Sequence, residues 1–287
     1  MLIEIRRPLK TRIGLPSLLL FFFLVQTAPG CRAGDNSQEQ NSTRIESTLD
    51  RIRDSKHLRI GYSGYPPFLN IDPENKLPRD GFSVELAKAL VQEWNEQIEI
   101  EWVPTNWSNV RVDLLANKFD LIVEPVFRTI PRAAAVGFTK PFAYFAYAVG
   151  CVRADDDRFH SIDQLNSPSY SIAVLQGASA HEYVKRNLPL ATNLKVLSGT
   201  SVEATLDEVL LGRVDVTLAD LNTIDRYMAA HSGLVKAVFT DPPPGRVPAG
   251  FMLRPGDYKF AAFLDASLDF FEASGEIEKL KQKYAIR

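Results

Sequence analysis

From Leu58 onward, short apolar runs alternate with segments of helical periodicity, and this alternation restricts the available folds more than any other feature of the chain. The run LRIGY (residues 58–62) reads as a strand, and Phe82, Leu86, Ala89 and Leu90 recur behind it at helical spacing. Ile98, Ile100 and Trp102 alternate with Glu99 and Glu101 as in a half-exposed strand. Val110, Leu114 and Leu115 then restart a helical face ahead of the apolar run Leu121, Ile122 and Val123. A βαβαβ order of this kind calls for a parallel sheet with helices on both faces, since right-handed crossovers return each strand to the same sheet.

The scheme then begins again. SIAVL (171–175), a helix from Ala180, the strand LKVL, a helix from Ser201 to Leu211 and the strand VDVTL repeat it over about a hundred residues. Beyond the stiff Asp241-Pro-Pro-Pro-Gly245 segment come a further strand, GFML, and two helices carrying Phe260, Phe263, Leu264 and Phe271, then Ile277 and Leu280. The expected fold class is therefore α/β, with two similar lobes and a terminal return segment. Ligands of such sheets sit beyond the carboxyl ends of the strands, here where the lobes face each other.

The N-terminus carries an address. Arg6, Arg7, Lys10 and Arg12 precede the apolar run Ile13 to Val25, which is shorter than the roughly 20 residues needed to span a bilayer. Residues 1–30 thus read as a signal peptide, and residues 31–50 as a polar tether without apolar periodicity. Ala28 and Gly30 suit ordinary signal peptidase cleavage before Cys31. A lipobox would also put Cys first but prefers Leu where Ala28 stands, so Cys31 is either a lipid-bearing residue or a plain N-terminus. Cys151, within AYAVGCV, reads as a buried free thiol.

Composition removes several classes. With 33 Lys+Arg against 35 Asp+Glu, the formal charge of -2 gives no basic surplus for nucleic acid. Two cysteines and four scattered histidines offer no metal-site spacing, and no dinucleotide, P-loop or zincin motif occurs. His181-Glu182 lacks a second histidine four residues on, and Gly177-Ala178-Ser179-Ala180-His181 has His181 where a nucleophile elbow needs glycine. Neither a cofactor nor a metal is expected.

Eight segments in a fixed order resemble one family: LRIGYSGYPPF, GFSVELAKAL, the Trp107 segment, KFDLIVEPVFRTIPR, FTKPF, VLQGAS, LLGRVDVTLAD and SGEIEKLKQKYA. The chain from about Leu58 to its end is similar to the extracellular solute-binding proteins, family 3, of polar amino-acid ABC importers, which have the type 2 periplasmic binding fold. The resemblance implies a first lobe of residues 51–147 plus 246–287 and a second of 148–245. Two crossovers, near Tyr147–Gly150 and Asp241–Arg246, would form the hinge, with the ligand cleft between the lobes. It implies a periplasmic or extracytoplasmic monomer that delivers a small amino-acid-like solute to an ABC transporter permease, touching the membrane only through a possible lipid anchor at Cys31.

The family's contacts carry over residue by residue. Arg132 would hold the ligand α-carboxylate, for which a guanidinium offers a rigid two-donor fork; the plain alternative is a surface arginine opening a helix. Asp220 would receive the α-ammonium, or serve as the N-cap of the next helix, and the two roles can coexist. Ser179 would face the carboxylate at a helix N-terminus, or simply cap it. Tyr65 and Trp107 would clamp the ligand side chain, against core packing as the alternative.

One segment departs from the family. Phe127 stands where a hydroxyl normally helps bind the carboxylate, and Pro125 replaces a small residue, so carboxylate binding would fall to Arg132 and Ser179. Glu124 brings a carboxylate toward the same cleft, where it would read a cationic group of the ligand or pair with Arg128. Two other functions remain open: an exported dehydratase of cyclic carboxylates with Glu124 as general acid, and a sensory lobe for a membrane receptor.

Overall fold

Ser47 caps the first helix of the computed structural model, which describes residues 47–286. The expected signal peptide, Cys31 and most of the expected tether lie outside these residues. Helix α1 (Thr48–Ser55) reaches back into the stretch read as tether, whose residues 48–50 are helical. The reason is long-range: Asp257 accepts hydrogen bonds from the Ser47 hydroxyl at 2.7 Å and the Thr48 N–H at 2.8 Å, and Thr48 and Ile52 are buried. Local periodicity carries no sign of such a partner 209 residues away.

The first lobe runs through β1 (His57–Tyr62), β2 (Asn70–Ile71), β3 (Pro78–Asp80), α2 (Phe82–Trp94), β4 (Glu99–Pro104), α3 (Val110–Leu115), β5 (Leu121–Phe127), α4 (Ile130–Ala133), β6 (Gly137–Phe138) and β7 (Ala143–Tyr147). At Ala148 the chain crosses to the second lobe. There it forms β8 (Val149–Arg153), β9 (Ile172–Leu175), α5 (Ser179–Asn187), β10 (Leu194–Leu197), α6 (Glu203–Leu210), β11 (Val216–Ala219), α7 (Leu221–Ala230) and β12 (Val235–Val238). It returns through residues 239–244 to β13 (Gly245–Leu253), α8 (Tyr258–Ala273) and α9 (Glu276–Lys283).

The first sheet has the order β4-β1-β5-β13-β6, with β7 also paired to β13, and the second β10-β9-β11-β8-β12. The βαβ strands β4, β1 and β5 are parallel, as are β10, β9 and β11. The sheets, expected from the βαβ order to be parallel, are mixed. β13 runs antiparallel to β5, β6 and β7, and β8 antiparallel to β11 and β12. These are the strands by which the chain leaves one lobe and enters the other, so their direction is set by the crossing rather than by a local βαβ turn. At the crossing, Gly245 pairs with Tyr147, and a Cβ on Gly245 would lie 2.4 Å from the Tyr147 ring. Lacking a side chain, Gly245 leaves room for the Tyr147 ring across the strand pair.

Each lobe has its own core. Phe68, Phe82, Phe145 and Phe260 fill the first, and Ile172, Val174, Val184 and Val216 are central to the second. Each fully buried side chain of this size contributes roughly 1.5–3 kcal/mol relative to exposure. A polar knot fastens α1 to the first sheet. The fully buried Asp120 carboxylate lies 2.5 Å from Arg51, 2.8 Å from Arg59 and 3.6 Å from Arg254, and accepts the Arg59 N–H at 2.9 Å. Cys151 is a buried free thiol on β8, pushed up to about 12 by burial.

Candidate functional site

The strand ends of the two lobes meet around a cavity of about 50 Å³, enough for a few water molecules. Tyr65, Trp107, Pro125, Phe127 and Arg132 line it from the first lobe, and Ser179, Thr205 and Asp220 are among its lining residues from the second. Six of the seven sequence-derived candidates are thus brought to one place from five separate segments.

Arg132 sits in α4, a single turn capped by Thr129, whose hydroxyl accepts the Arg132 N–H at 3.4 Å. Its guanidinium reaches across the cleft: Nη2 donates to the Gly177 carbonyl at 2.6 Å and Nε to Glu182 Oε1 at 3.2 Å. Nη1 also donates to the Phe127 carbonyl at 3.4 Å. The plain surface-arginine alternative does not hold, because the side chain is only 14% exposed. Burial lowers its pKa, and Glu182 opposes that shift. Gly177, at φ +80, accommodates the close approach of the Trp107 backbone, whose carbonyl would lie 2.6 Å from an added Cβ.

Asp220 both caps a helix and lines the cavity. As N-cap of α7, it accepts the Thr223 N–H at 3.0 Å and the Thr223 hydroxyl at 2.6 Å. The phenol of Tyr65, from the opposite lobe, donates at 2.8 Å to Oδ2, the same oxygen that accepts the Thr223 hydroxyl. Burial raises both the Asp220 and the Tyr65 pKa, and the hydrogen bonds to Asp220 pull its value back only in part. Tyr65 stands at 6.1 Å from Trp107, edge to face, which leaves the two rings as adjoining walls of the cavity.

Ser179 is the first helical residue of α5 and lines the cavity, while Ala178 occupies the cap position, so the plain-cap alternative does not hold. One candidate differs from expectation. Glu124 is fully buried and does not line the cavity. It lies on the face of β5 shared by Ile122 and Val126, whereas Pro125 and Phe127 face the cleft. Its carboxylate accepts the Ser63 N–H at 2.9 Å and the Ser63 hydroxyl at 3.2 Å, and burial pushes it up to about 7. Arg128 is not its partner; the Arg128 guanidinium lies over the Phe138 ring instead. Glu124 therefore braces the loop that carries Tyr65.

Glu182 and Arg226 join the cleft without having been expected there. Glu182 Oε2 accepts the Thr129 hydroxyl at 3.1 Å beside its pairing with Arg132. In the sequence it stands out only as half of an incomplete metal motif, though its place one turn after Gly177 puts it at the mouth of the same helix. Arg226, two turns into α7, donates to the Pro66 carbonyl of the first lobe and pairs with Glu203. Among the described residues no cluster of three or more His, Cys, Asp or Glu could hold a metal ion, and no helix is long and apolar enough to cross a membrane.

Two α/β lobes with a doubly crossed hinge and a charged cavity between them define a solute-binding architecture. Residues 58–286 match the bacterial extracellular solute-binding proteins, family 3, and the chain belongs to that family. It is 25% identical over 231 residues to the cyclohexadienyl dehydratase of Pseudomonas aeruginosa, covering 80% of this chain and 83% of that protein. It is 26% identical over 232 residues to the probable amino-acid-binding protein YxeM of Bacillus subtilis, covering 80% and 84%. Among solved structures, an ancestral amino acid-binding protein described as a precursor of cyclohexadienyl dehydratase superposes with a TM-score of 0.72 at 29% identity, over 83% of this chain and 99% of the other. A putative ABC transporter binding component from Wolinella succinogenes, complexed with lysine, superposes with a TM-score of 0.69 at 25% identity, over 81% and 97%.

Proposed function

We propose that this protein captures a small amino-acid-like solute by closure of its two lobes and delivers it to the permease of an ABC importer. The observation that carries the reading is a guanidinium from one lobe, Arg132, and a buried carboxylate from the other, Asp220, lining the same cavity. Opposite charges held on two hinged bodies suit a zwitterion: the carboxylate goes to Arg132 and Ser179, the ammonium to Asp220. Tyr65, Trp107 and Phe127 enclose the side chain. Because a ligand shifts an open–closed equilibrium only by its preference for one form, contacts from both lobes are what couple binding to closure. Residues 51–147 with 246–287, and 148–245, are the two moving bodies.

The N-terminal charge and apolar run support export to the periplasm or an equivalent extracytoplasmic space, with Cys31 as the point of anchorage if it is lipidated. The protein acts as a monomer in this reading. A dehydratase of cyclic carboxylates, the activity named for the Pseudomonas aeruginosa relative, is the second reading. Against it stands the position of Glu124, whose side chain does not line the cavity and so has no access to a leaving hydroxyl.

A thermal-shift and calorimetric screen of free amino acids, their methyl esters and their deaminated acids tests the proposal. Binding that needs both the carboxylate and the amine supports it. Equal binding of acids lacking the amine, or turnover of a cyclic carboxylate, overturns it.

A further inference from the structure

Glu182 belongs to the second lobe, yet both side chains that hydrogen-bond its carboxylate belong to the first: Arg132 Nε at 3.2 Å and the Thr129 hydroxyl at 3.1 Å. Arg132 lines the central cavity and Glu182 does not. Glu182 lines a small adjoining space with Thr129, Tyr147, Tyr183 and Arg186. Thr129 is at once the cap of the turn that carries Arg132 and the donor to Glu182, so one hydroxyl links the orientation of the guanidinium to the presence of the other lobe. These contacts exist only with the lobes together.

We propose that Glu182 is a positioning residue that latches the closed form: it fixes Arg132 from behind, across the cleft, and biases the lobes toward closure before any solute arrives. This rests on the cleft being one that opens and closes, as proposed above. A carboxylate that acts on the closed form without touching the solute changes apparent affinity for every solute by a common factor, through the closed fraction. Residues that touch the solute would instead change the ranking among solutes.

The test reads the ligand-free protein. Spin labels at the exposed positions Val112 and Leu211, one in each lobe, report the interlobe distance distribution in a Cys31→Ser background, while buried Cys151 stays unlabelled. Glu182→Gln should lower the short-distance population at least threefold with an unchanged melting temperature. Arg132→Ala, which also removes the bond to the Gly177 carbonyl, should lower it at least as far, and adding Glu182→Gln to it should cost less than Glu182→Gln costs alone. A Glu182→Gln distribution matching the parent, or a double variant in which the two losses multiply, overturns the latch. Because no solute enters the measurement, a protein that bound no amino acid would fail the functional proposal and still decide this one.

Discussion

The phenol of Tyr65 in the first lobe donates to the carboxylate of Asp220 in the second at 2.8 Å, and both side chains are buried. Aromatic wall and acid are thereby held as one unit across the cleft, so the two candidate contacts do not vary independently.

Tyr65→Phe isolates this bond, since the ring keeps its packing against Phe68 and Trp107 and Asp220 keeps Thr223. A hydrogen bond to a charged group is worth about 1.5–3 kcal/mol. Chemical denaturation should show a loss of that order, and equal stability of the two proteins would mean that the bond contributes nothing net.

Arg132 should separate charge from geometry. Arg132→Ala, by removing two charge-assisted hydrogen bonds, should weaken amino-acid binding by about 100-fold or more. Arg132→Lys keeps the charge without the fork and should still lose roughly tenfold. Calorimetry with L-lysine and L-glutamine reads both, and a lysine variant binding as tightly as the parent would remove the bidentate role.

For Asp220 the two duties should come apart. Asparagine caps helices about as well as aspartate, whereas alanine costs about 1 kcal/mol at such a position. Asp220→Asn keeps the cap and should lose no more stability than Tyr65→Phe, Asp220→Ala should lose more because the bonds from Tyr65 and Thr223 go with the cap, and both should lose affinity for amines. Since burial raises the Asp220 pKa, binding of an ammonium should also fade on acidification at a higher pH than an ordinary aspartate would dictate.

Glu124 predicts a pH dependence of stability with a definite sign. Its folded-state pKa of about 7 lies above the ordinary glutamate value of 4.5, so between those values the folded form holds a proton that the unfolded form has released. Stability then falls as pH rises from 4.5 to about 7, by up to roughly 3 kcal/mol, and levels off above. Melting curves of Glu124→Gln across this range should lack that decline. Parallel curves for the two proteins would contradict the assignment.

The Asp120 knot predicts the largest stability effect. Removing a buried carboxylate that faces three arginines leaves uncompensated charge, and Asp120→Ala should cost about 3–5 kcal/mol. Detachment of α1 would appear as early amide exchange at Thr48–Ser55.

The order of elements was legible from period alone, because each βαβ unit buries its own apolar face. Strand direction at β8 and β13 was not, since it depends on where the chain changes lobes, and nothing in GFML or AVGCV encodes that. The meeting of Arg132, Asp220 and Tyr65 at one cavity is what the family resemblance implied. Glu124 could have been placed correctly from the sequence: strand alternation puts it on the face opposite Pro125 and Phe127. Glu182 was not legible, because its partners lie 50 and 53 residues earlier and meet it only across the cleft.

With the ammonium role proposed for it, Asp220 answers to two demands, since it starts a helix and lines the cavity. A lineage drifting toward solutes without an amine would be free to discard the charge of Asp220 but not its oxygen, because α7 would still need an acceptor at its first turn. Asparagine or serine would then be the accessible replacements, with alanine rare, and any such cleft should carry the mark of its helix long after its cargo has changed.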